Sequence, residues 1–271
     1  MKADLHMHTT YSDGVNTVLE VANMAIAAKM DIIAITDHDT FTDTTCIRNI
    51  IKTIYGIELS TYHNGESIHV LGYFKDIPPK SFLDKLEEFK MRRLKRALTM
   101  LDLLEEHFDI KLDRNFVYEA NSITRGTIGR EIVKQTNNKY TKSYIFSHFI
   151  GRGCKAYLPS LKISTDEGIE LIKKAGGIAV LAHPMLYIEK NMMEVIKYGF
   201  DGIEAIYPKH HEEIEKYRNL ANKYHIPLIT GGSDFHNIVG PDDGSSHGNI
   251  GDSYISGNDV LKFLEAVNHE C

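Results

Sequence analysis

Cysteine is scarce. Three thiols in 271 residues, Cys46, Cys154 and Cys271, are widely spaced and form no CxxC pair. That excludes a disulfide framework and fits a reducing compartment. Long apolar runs are missing too. The opening MKADLHMHTT turns polar within a few residues, and no stretch approaches a membrane span, so a cytoplasmic protein with no membrane partner is expected. Positive charge is in deficit, with 31 Lys and Arg against 37 Asp and Glu and a net charge of −6. Nucleic-acid binding through a general basic surface is thereby excluded. A phosphate substrate is not, because bound divalent cations would reverse the local sign of a site. Low-complexity tracts and internal repeats are absent, and no serine or cysteine sits in a nucleophile–base arrangement.

What the chain does have is 14 histidines, and their placement follows the elements. Lys2–Met7 reads as a strand, Val18–Lys29 as a helix of apolar spacing, and Asp31–Thr36 (DIIAIT) as a strand buried on both faces. A helix is expected around Thr44–Thr53, then strands near Tyr55–Thr61 and Ile68–Phe74. Pro78-Pro79 is a break. From Phe82 to about His107 runs one long charged helix, followed by shorter helical patterns. Strand–helix alternation resumes after Pro159, with strands at Ile178–Ala182, Gly202–Ile206 and Pro227–Thr230. Helices are expected at Thr165–Ala175, Met192–Lys197, Glu212–Tyr224 and Asn258–Asn268. The simplest architecture is an α/β barrel-like parallel sheet wrapped by helices (residues 1–78 and 160–271), interrupted by a helical insertion (79–159).

In such folds chemistry gathers at the C-terminal ends of strands. The first strand ends in His6 and His8, with Asp13 in the loop beyond. The second ends in Asp37 and His38, the third carries Glu58 and the fourth His69. A later strand ends in His183 before Pro184, and the last in Asp234 and His236. Residues i and i+2 of a strand point the same way, so His6 and His8 can chelate one ion together. Six imidazoles and three carboxylates are too many for one ion and suit two or three of Zn²⁺, Mn²⁺ or Fe²⁺. His63, His107, His148, His210, His211, His225, His247 and His269 lie outside the pattern and read as ordinary surface or core residues.

The stretches ADLHMHTTYSDG, ITDHDT, GIELS, HVLGY, LAHP and GGSDFH, in this order, resemble the successive motifs of the PHP (polymerase and histidinol phosphatase) family over most of the chain. The likeness is greatest to the bacterial branch with a helical insertion, which includes nucleoside 3′,5′-bisphosphate phosphatases and a 5′→3′ trimming exoribonuclease. It implies a distorted (β/α)₇ TIM-like barrel and a cluster of divalent ions. One ion would take His6, His8, Glu58 and Asp234. A second would take Asp13, His38 and His236, and a third His69 and His183 with Glu58 bridging. The stretch between His38 and Glu58 is shorter than usual in this branch, which implies a trimmed wall there.

The expected reaction is hydrolysis of a phosphomonoester by a metal-activated hydroxide, with no protein nucleophile. The substrate class is a small phosphorylated molecule: a nucleotide such as a nucleoside 3′,5′-bisphosphate, or a short 5′-phosphorylated RNA. Arginine binds phosphate in two places at once, and the resemblance implies that Arg93, Arg96, Arg125 and Arg130 of the insertion, acting as a cap, hold a second phosphate. Arg92 and Lys95 read instead as a solvated face pairing with Glu87 and Glu88. Three other readings compete. Histidinol phosphate, with one phosphate, gives the insertion arginines less to do. Amide or lactone hydrolysis would keep the fold and change the bond. A non-catalytic metal-binding module is opposed by ligands intact in every motif. The native metal and the oligomeric state are not encoded in these patterns.

Overall fold

A computed structural model describes residues 1–119, 123–159, 162–240 and 246–268; His269 and Cys271 lie outside them. Along the chain, β1 (Lys2–Asp4) leads to α1 (Val18–Ala27), β2 (Ile32–Ile35), β3 (Lys52–His63) and β4 (Glu66–Phe74). The helices α2 (Lys80–Phe108), α3 (Asn115–Glu119), α4 (Arg125–Gln135) and α5 (Lys142–Ile145) follow, with no strand between them among the described residues. Alternation then returns with α6 (Thr165–Lys174), β5 (Ile178–Leu181), α7 (Glu189–Val195), β6 (Gly202–Ile206), α8 (Ile214–Lys223) and β7 (Leu228–Gly231). A two-residue β8 (Ile255–Ser256) and α9 (Asn258–Asn268) close the described chain. No helix among the described residues is long and apolar enough to cross a membrane.

Two compact units result, Met1–Leu86 with Ile163–Cys271, and Glu87–Lys162. The division falls inside α2 rather than at the Pro78-Pro79 break. The first turns of α2 pack on the sheet, with Phe82 buried and its ring 5.3 Å from that of Phe74.

In the first unit the strands follow the order β7-β6-β5-β4-β3-β2-β1-β8. The Leu5 N–H donates to the Gly231 carbonyl at 3.2 Å and the His8 N–H to that of Phe235 at 2.8 Å. These bonds join β7 to the segment after β1 and close the sheet on itself, giving a TIM-like barrel. Alternation explains β2: Ile32 and Ala34 pack into the barrel's interior cluster, while Ile33 and Ile35 pack under Val18, Val21, Ala22 and Ala25 of α1. Both faces are apolar because both are covered. A capping box starts α1, Thr17 receiving the Glu20 N–H while the Glu20 carboxylate receives that of Thr17.

The expectation of a parallel sheet needs correction, because the sheet is mixed. The β3–β4 and β4–β5 pairs are antiparallel, as is β1–β8. The cause is local. Asn64 and Gly65, at φ +44° and +93°, form a two-residue turn between His63 and Glu66. Positive φ at both turn positions is what a tight hairpin requires and what Asn-Gly supplies. The helix expected at Thr44–Thr53 is also not formed. Only one tight turn, Thr45–Ile47, exists before β3 begins at Lys52. Asp43 accepts both the N–H and the hydroxyl of Thr45, a side-chain turn that competes with helical bonding.

In the second unit, Ala97, Met100, Leu101 and Leu104 of α2 share a core with Ile128 and Ile132 of α4 and with Ile145, Phe149 and Ile150. It is an independent apolar core, as a helical insertion of this length needs.

The barrel interior is filled by side chains. Tyr73 reaches from β4 to donate to the Leu5 carbonyl at 2.9 Å, and its ring meets that of Phe263 edge-on at 5.0 Å. Phe263→Ala should therefore lower unfolding stability by about 3–5 kcal/mol, measured by urea denaturation; a loss below about 1 kcal/mol would show that α9 is not a structural part of the barrel.

Candidate metal centre

Each candidate residue is fixed by the backbone that carries it. Past β1, the segment bearing His6 and His8 is held on both sides, the Thr36 N–H bonding the Met7 carbonyl at 2.8 Å opposite the His8–Phe235 bond. Two glycines allow that approach. A Cβ on Gly232 would stand 2.4 Å from the Cβ and N of His6, and one on Gly14 would stand 2.6 Å from the His8 carbonyl. The glycines of GGSDFH and YSDG are thus where one backbone passes against another. Asp37 gathers the loop after His8, accepting the Thr9 N–H at 2.7 Å, the Thr9 hydroxyl at 2.7 Å and the Ser12 hydroxyl at 2.6 Å. His183 and Asp234 have φ of +22° and +50°, strained values of the kind that cluster at functional sites.

Glu58 lies within β3, fully buried, and five imidazoles surround it. Its Oε2 is 3.4 Å from His6 Nε2, 3.3 Å from His8 Nε2 and 2.8 Å from His38 Nδ1. Its Oε1 is 2.9 Å from both His69 Nδ1 and His183 Nε2. Asp234 Oδ1 is 3.2 Å from His6 Nε2 and 3.1 Å from His8 Nε2. Asp13 reaches His236 Nε2 at 3.2 Å and His38 Nε2 at 3.7 Å.

Three overlapping groups among these residues each gather their ligating atoms within 4.8 Å of one another. They are His6, His8, Glu58 and Asp234; His8, Asp13, His38 and His236; and His38, Glu58 and His69. The residues fit divalent cations. His6 Nε2, His8 Nε2, His38 Nδ1, Glu58 Oε2 and Asp234 Oδ1 are buried without a well-directed hydrogen bond. Buried polar atoms in that condition are costly, and a cation between them would satisfy both nitrogens and oxygens.

The same charges sort the imidazoles. Burial opposes a charge on His8, but the neighbouring carboxylates of Asp234 and Glu58, which its ring faces at 3.1 and 3.3 Å, overcome it and raise its pKa to about 10. His6 is likewise raised despite burial, through Glu204, Asp234 and Glu58. His69 is pushed down to about 4, by burial and by its neighbours His38 and His183 outweighing Glu58. Burial raises, but the histidines more strongly lower, the carboxylates of Glu58 and Asp234, which stay well below the usual range. The centre is thus a pair of ionised, buried carboxylates that attract positive charge, whether as protons or as metal.

All nine residues expected from the motifs converge. The rule that placed them needs amendment for two. Glu58 lies mid-strand, and His69 lies near the start of β4, opposite Ser60 of β3. Because β4 runs antiparallel, its beginning shares a sheet end with the ends of its neighbours. The reading of His247 as a bystander is also corrected. Its Nδ1 is 2.9 Å from Asp234 Oδ2, and its ring lies 4.1 Å from that of His236. A loop position gave no periodic signal for it. Glu204 and Tyr207, outside every motif, likewise belong to the site. Glu204 sits 3.0 Å from His6 Nδ1, and the Tyr207 hydroxyl donates to Asp234 Oδ2 at 2.7 Å. A charged residue inside the apolar GIEAI was the available sign of the first.

The candidate phosphate arginines lie in the second unit. Arg96 donates to the Leu158 and Pro159 carbonyls, each at 3.0 Å from its Nε. Arg125 lies 5.2 Å over the Tyr157 ring, and Arg130 reaches Thr127 at 3.4 Å. Arg93 lines a pocket with Lys90, Leu94, Val117 and Tyr118. Arg92 pairs with Glu88.

Six imidazoles and three carboxylates pooled in an α/β barrel define a metal-dependent hydrolase. The sequence profile of the PHP domain matches residues 4–228. The chain belongs to the PHP domain family. A 5′-3′ exoribonuclease of Haemophilus influenzae is 29% identical over 248 residues, covering 87% of this chain and 90% of that protein. A 3′,5′-nucleoside bisphosphate phosphatase of Chromobacterium violaceum is 27% identical over 250 residues, covering 86% of each. A solved structure from Bifidobacterium adolescentis, assigned as a metal-dependent phosphoesterase, superimposes with a TM-score of 0.74 at 26% identity over 97% of this chain and 96% of that one.

Two outcomes follow from this geometry. His6 and His8 hold protons below their raised pKa values, so at pH 7 a cation must displace them, while the carboxylates are already ionised. Mn²⁺ binding should release protons and tighten between pH 6 and 8, measured calorimetrically in buffers of differing ionisation heat; a pH-independent affinity would contradict this assignment. Gly232→Ala should displace His6 and sharply weaken Mn²⁺ binding in equilibrium dialysis, and retention of full affinity would show that the close approach is dispensable.

Proposed function

We propose that the protein hydrolyses the phosphomonoester of a nucleotide, either a nucleoside 3′,5′-bisphosphate or a short 5′-phosphorylated oligonucleotide. The observation that carries the reading is Glu58, one buried carboxylate within 3.4 Å of five imidazoles, in a chain whose relatives include a 5′-3′ exoribonuclease and a 3′,5′-nucleoside bisphosphate phosphatase.

In this reading His6, His8, Glu58 and Asp234 hold one cation. Asp13, His38 and His236 hold a second, and His69 and His183 share Glu58 with them in holding a third. Bound divalent cations lower the pKa of water into the neutral range and neutralise charge that builds on phosphoryl oxygens. The chain's own part is to keep these charges fixed. Glu58 ties the rings of β1, β4 and β5 to one point, and Tyr207 and His247 both grip the second oxygen of Asp234, so that its first oxygen faces His6 and His8. Water is excluded from the floor, where His6, His8 and Glu58 are fully buried.

Arginines of the second unit supply recognition of a further phosphate, which distinguishes a bisphosphate or oligonucleotide from a monophosphate. Arg96 is engaged with two carbonyls, so Arg125 and Arg130 are the stronger candidates.

The direct test is phosphate release with added Mn²⁺ from a nucleoside 3′,5′-bisphosphate, a nucleoside monophosphate, a 5′-phosphorylated trinucleotide and an amide. Turnover of the amide alone would overturn the reading. Glu58→Gln should lower kcat/KM more than about 100-fold, equivalent to a loss above about 2.7 kcal/mol. Arg130→Ala should raise KM for the bisphosphate about tenfold while sparing the monophosphate, as expected for one charge-assisted hydrogen bond. An equal effect on both substrates would remove Arg130 from recognition of the second phosphate.

A further inference from the structure

Glu204 belongs to none of the groups that could hold an ion among the described residues, yet it touches His6, a member of one, and the backbone of His183, whose ring meets Glu58. It lies on β6 with no solvent exposure. A carboxylate so placed costs several kcal/mol unless its oxygens are satisfied. They are: Oε1 and Oε2 stand 3.0 and 3.2 Å from His6 Nδ1, and Oε2 accepts the backbone N–H of His183 at 2.8 Å.

We propose that Glu204 is the positioning residue of the centre, fixing His6 and His183 so that both face the cations. The inference rests on the metal-dependent reading above. For His6 the argument concerns direction. Glu204 occupies the Nδ1 side of the ring, which turns Nε2 toward Glu58 Oε2 and Asp234 Oδ1 at 3.4 and 3.2 Å. A ring that holds a cation through Nε2 is neutral and keeps its one proton on Nδ1, where Glu204 accepts it. A carboxylate behind a ligating histidine fixes the tautomer and raises ligand basicity. For His183 the argument concerns backbone. That residue has φ +22° and ψ +62°, a conformation that persists only when its surroundings enforce it. The bond from its N–H to Glu204 is such an enforcement at the end of β5, and the side chain then meets Glu58 at 2.9 Å. The two rings lie nearly parallel, 5.8 Å apart. One carboxylate on β6 thereby sets a ring from β1 and a backbone from β5, and these serve different cation positions.

Glu204→Gln is the discriminating change. It keeps the shape but exchanges one acceptor oxygen for an NH₂ donor, which must then oppose either the Nδ1–H of His6 or the N–H of His183. The full chain, stripped with chelator, is titrated with Mn²⁺ and with Zn²⁺ alone, its fold checked by circular dichroism. Folded E204Q should bind about 10–100-fold more weakly than wild type. In the Zn²⁺-loaded proteins, ¹⁵N-imidazole spectra should show the His6 Nδ1–H in wild type and its loss or displacement in E204Q, a signature that a merely structural role would not move. Equal affinity and an unchanged His6 signal would overturn the proposal. Should E204Q not fold, Glu204→Asp is measured instead, and wild-type affinity there overturns it equally. Loss of fold in both variants would assign Glu204 to the barrel rather than to the centre. A wild-type chain that binds neither metal would instead defeat the metal-dependent reading itself, before any variant is compared.

Discussion

Everything in the barrel unit is organised around the cost of burying negative charge. Glu58 and Asp234 are ionised, buried carboxylates, and the cationic groups that meet them are imidazoles. Their compensation comes from imidazoles, which accept either a proton or a metal ion. This makes the pocket's net charge adjustable in a way that a lysine or arginine neighbour would not allow, since those groups cannot exchange their proton for a cation at neutral pH. The positive-φ residues, the close glycines and the mixed sheet are the means by which a chain brings so many imidazoles to one carboxylate.

The part of this that could be read from the sequence is the part obeying a period or a strand-end rule. DIIAIT announced a strand covered on both faces, and His6 with His8 announced a shared direction. Both are consequences of the two-residue repeat of extended chain. The sheet departs from the parallel expectation because the hydrophobic pattern says that β3 and β4 are strands but not which way they run. That information lay in the two residues Asn64-Gly65, whose positive φ values turn the chain back on itself. His69 consequently reaches the cluster from the beginning of its strand rather than from the end.

Glu204 and His247 were not legible for a different reason. Their partners are distant in the chain or are backbone atoms, and a sequence motif records neither. Glu204 bonds an imidazole 198 positions away, and His247 meets Asp234 from a loop. A carboxylate inside GIEAI is a sign that something must compensate it, but not what. The arginines of the insertion show a further limit: residue type marks them as candidates, while the carbonyls that occupy Arg96 could only be found in three dimensions.

The helical unit is spliced between β4 and β5, strands that lie side by side in the sheet. His69 and His183, which share one oxygen of Glu58, are therefore close in space but far apart along the chain. Loop-closure entropy grows only logarithmically with length, so the long excursion adds little to the equilibrium cost of pairing these strands. An insertion with a core of its own can condense independently of the barrel, and the β4–β5 seam must still close across it. A cation gripped from both sides of that seam would then act as a clasp, slowing its reopening without adding any contact between the strands themselves.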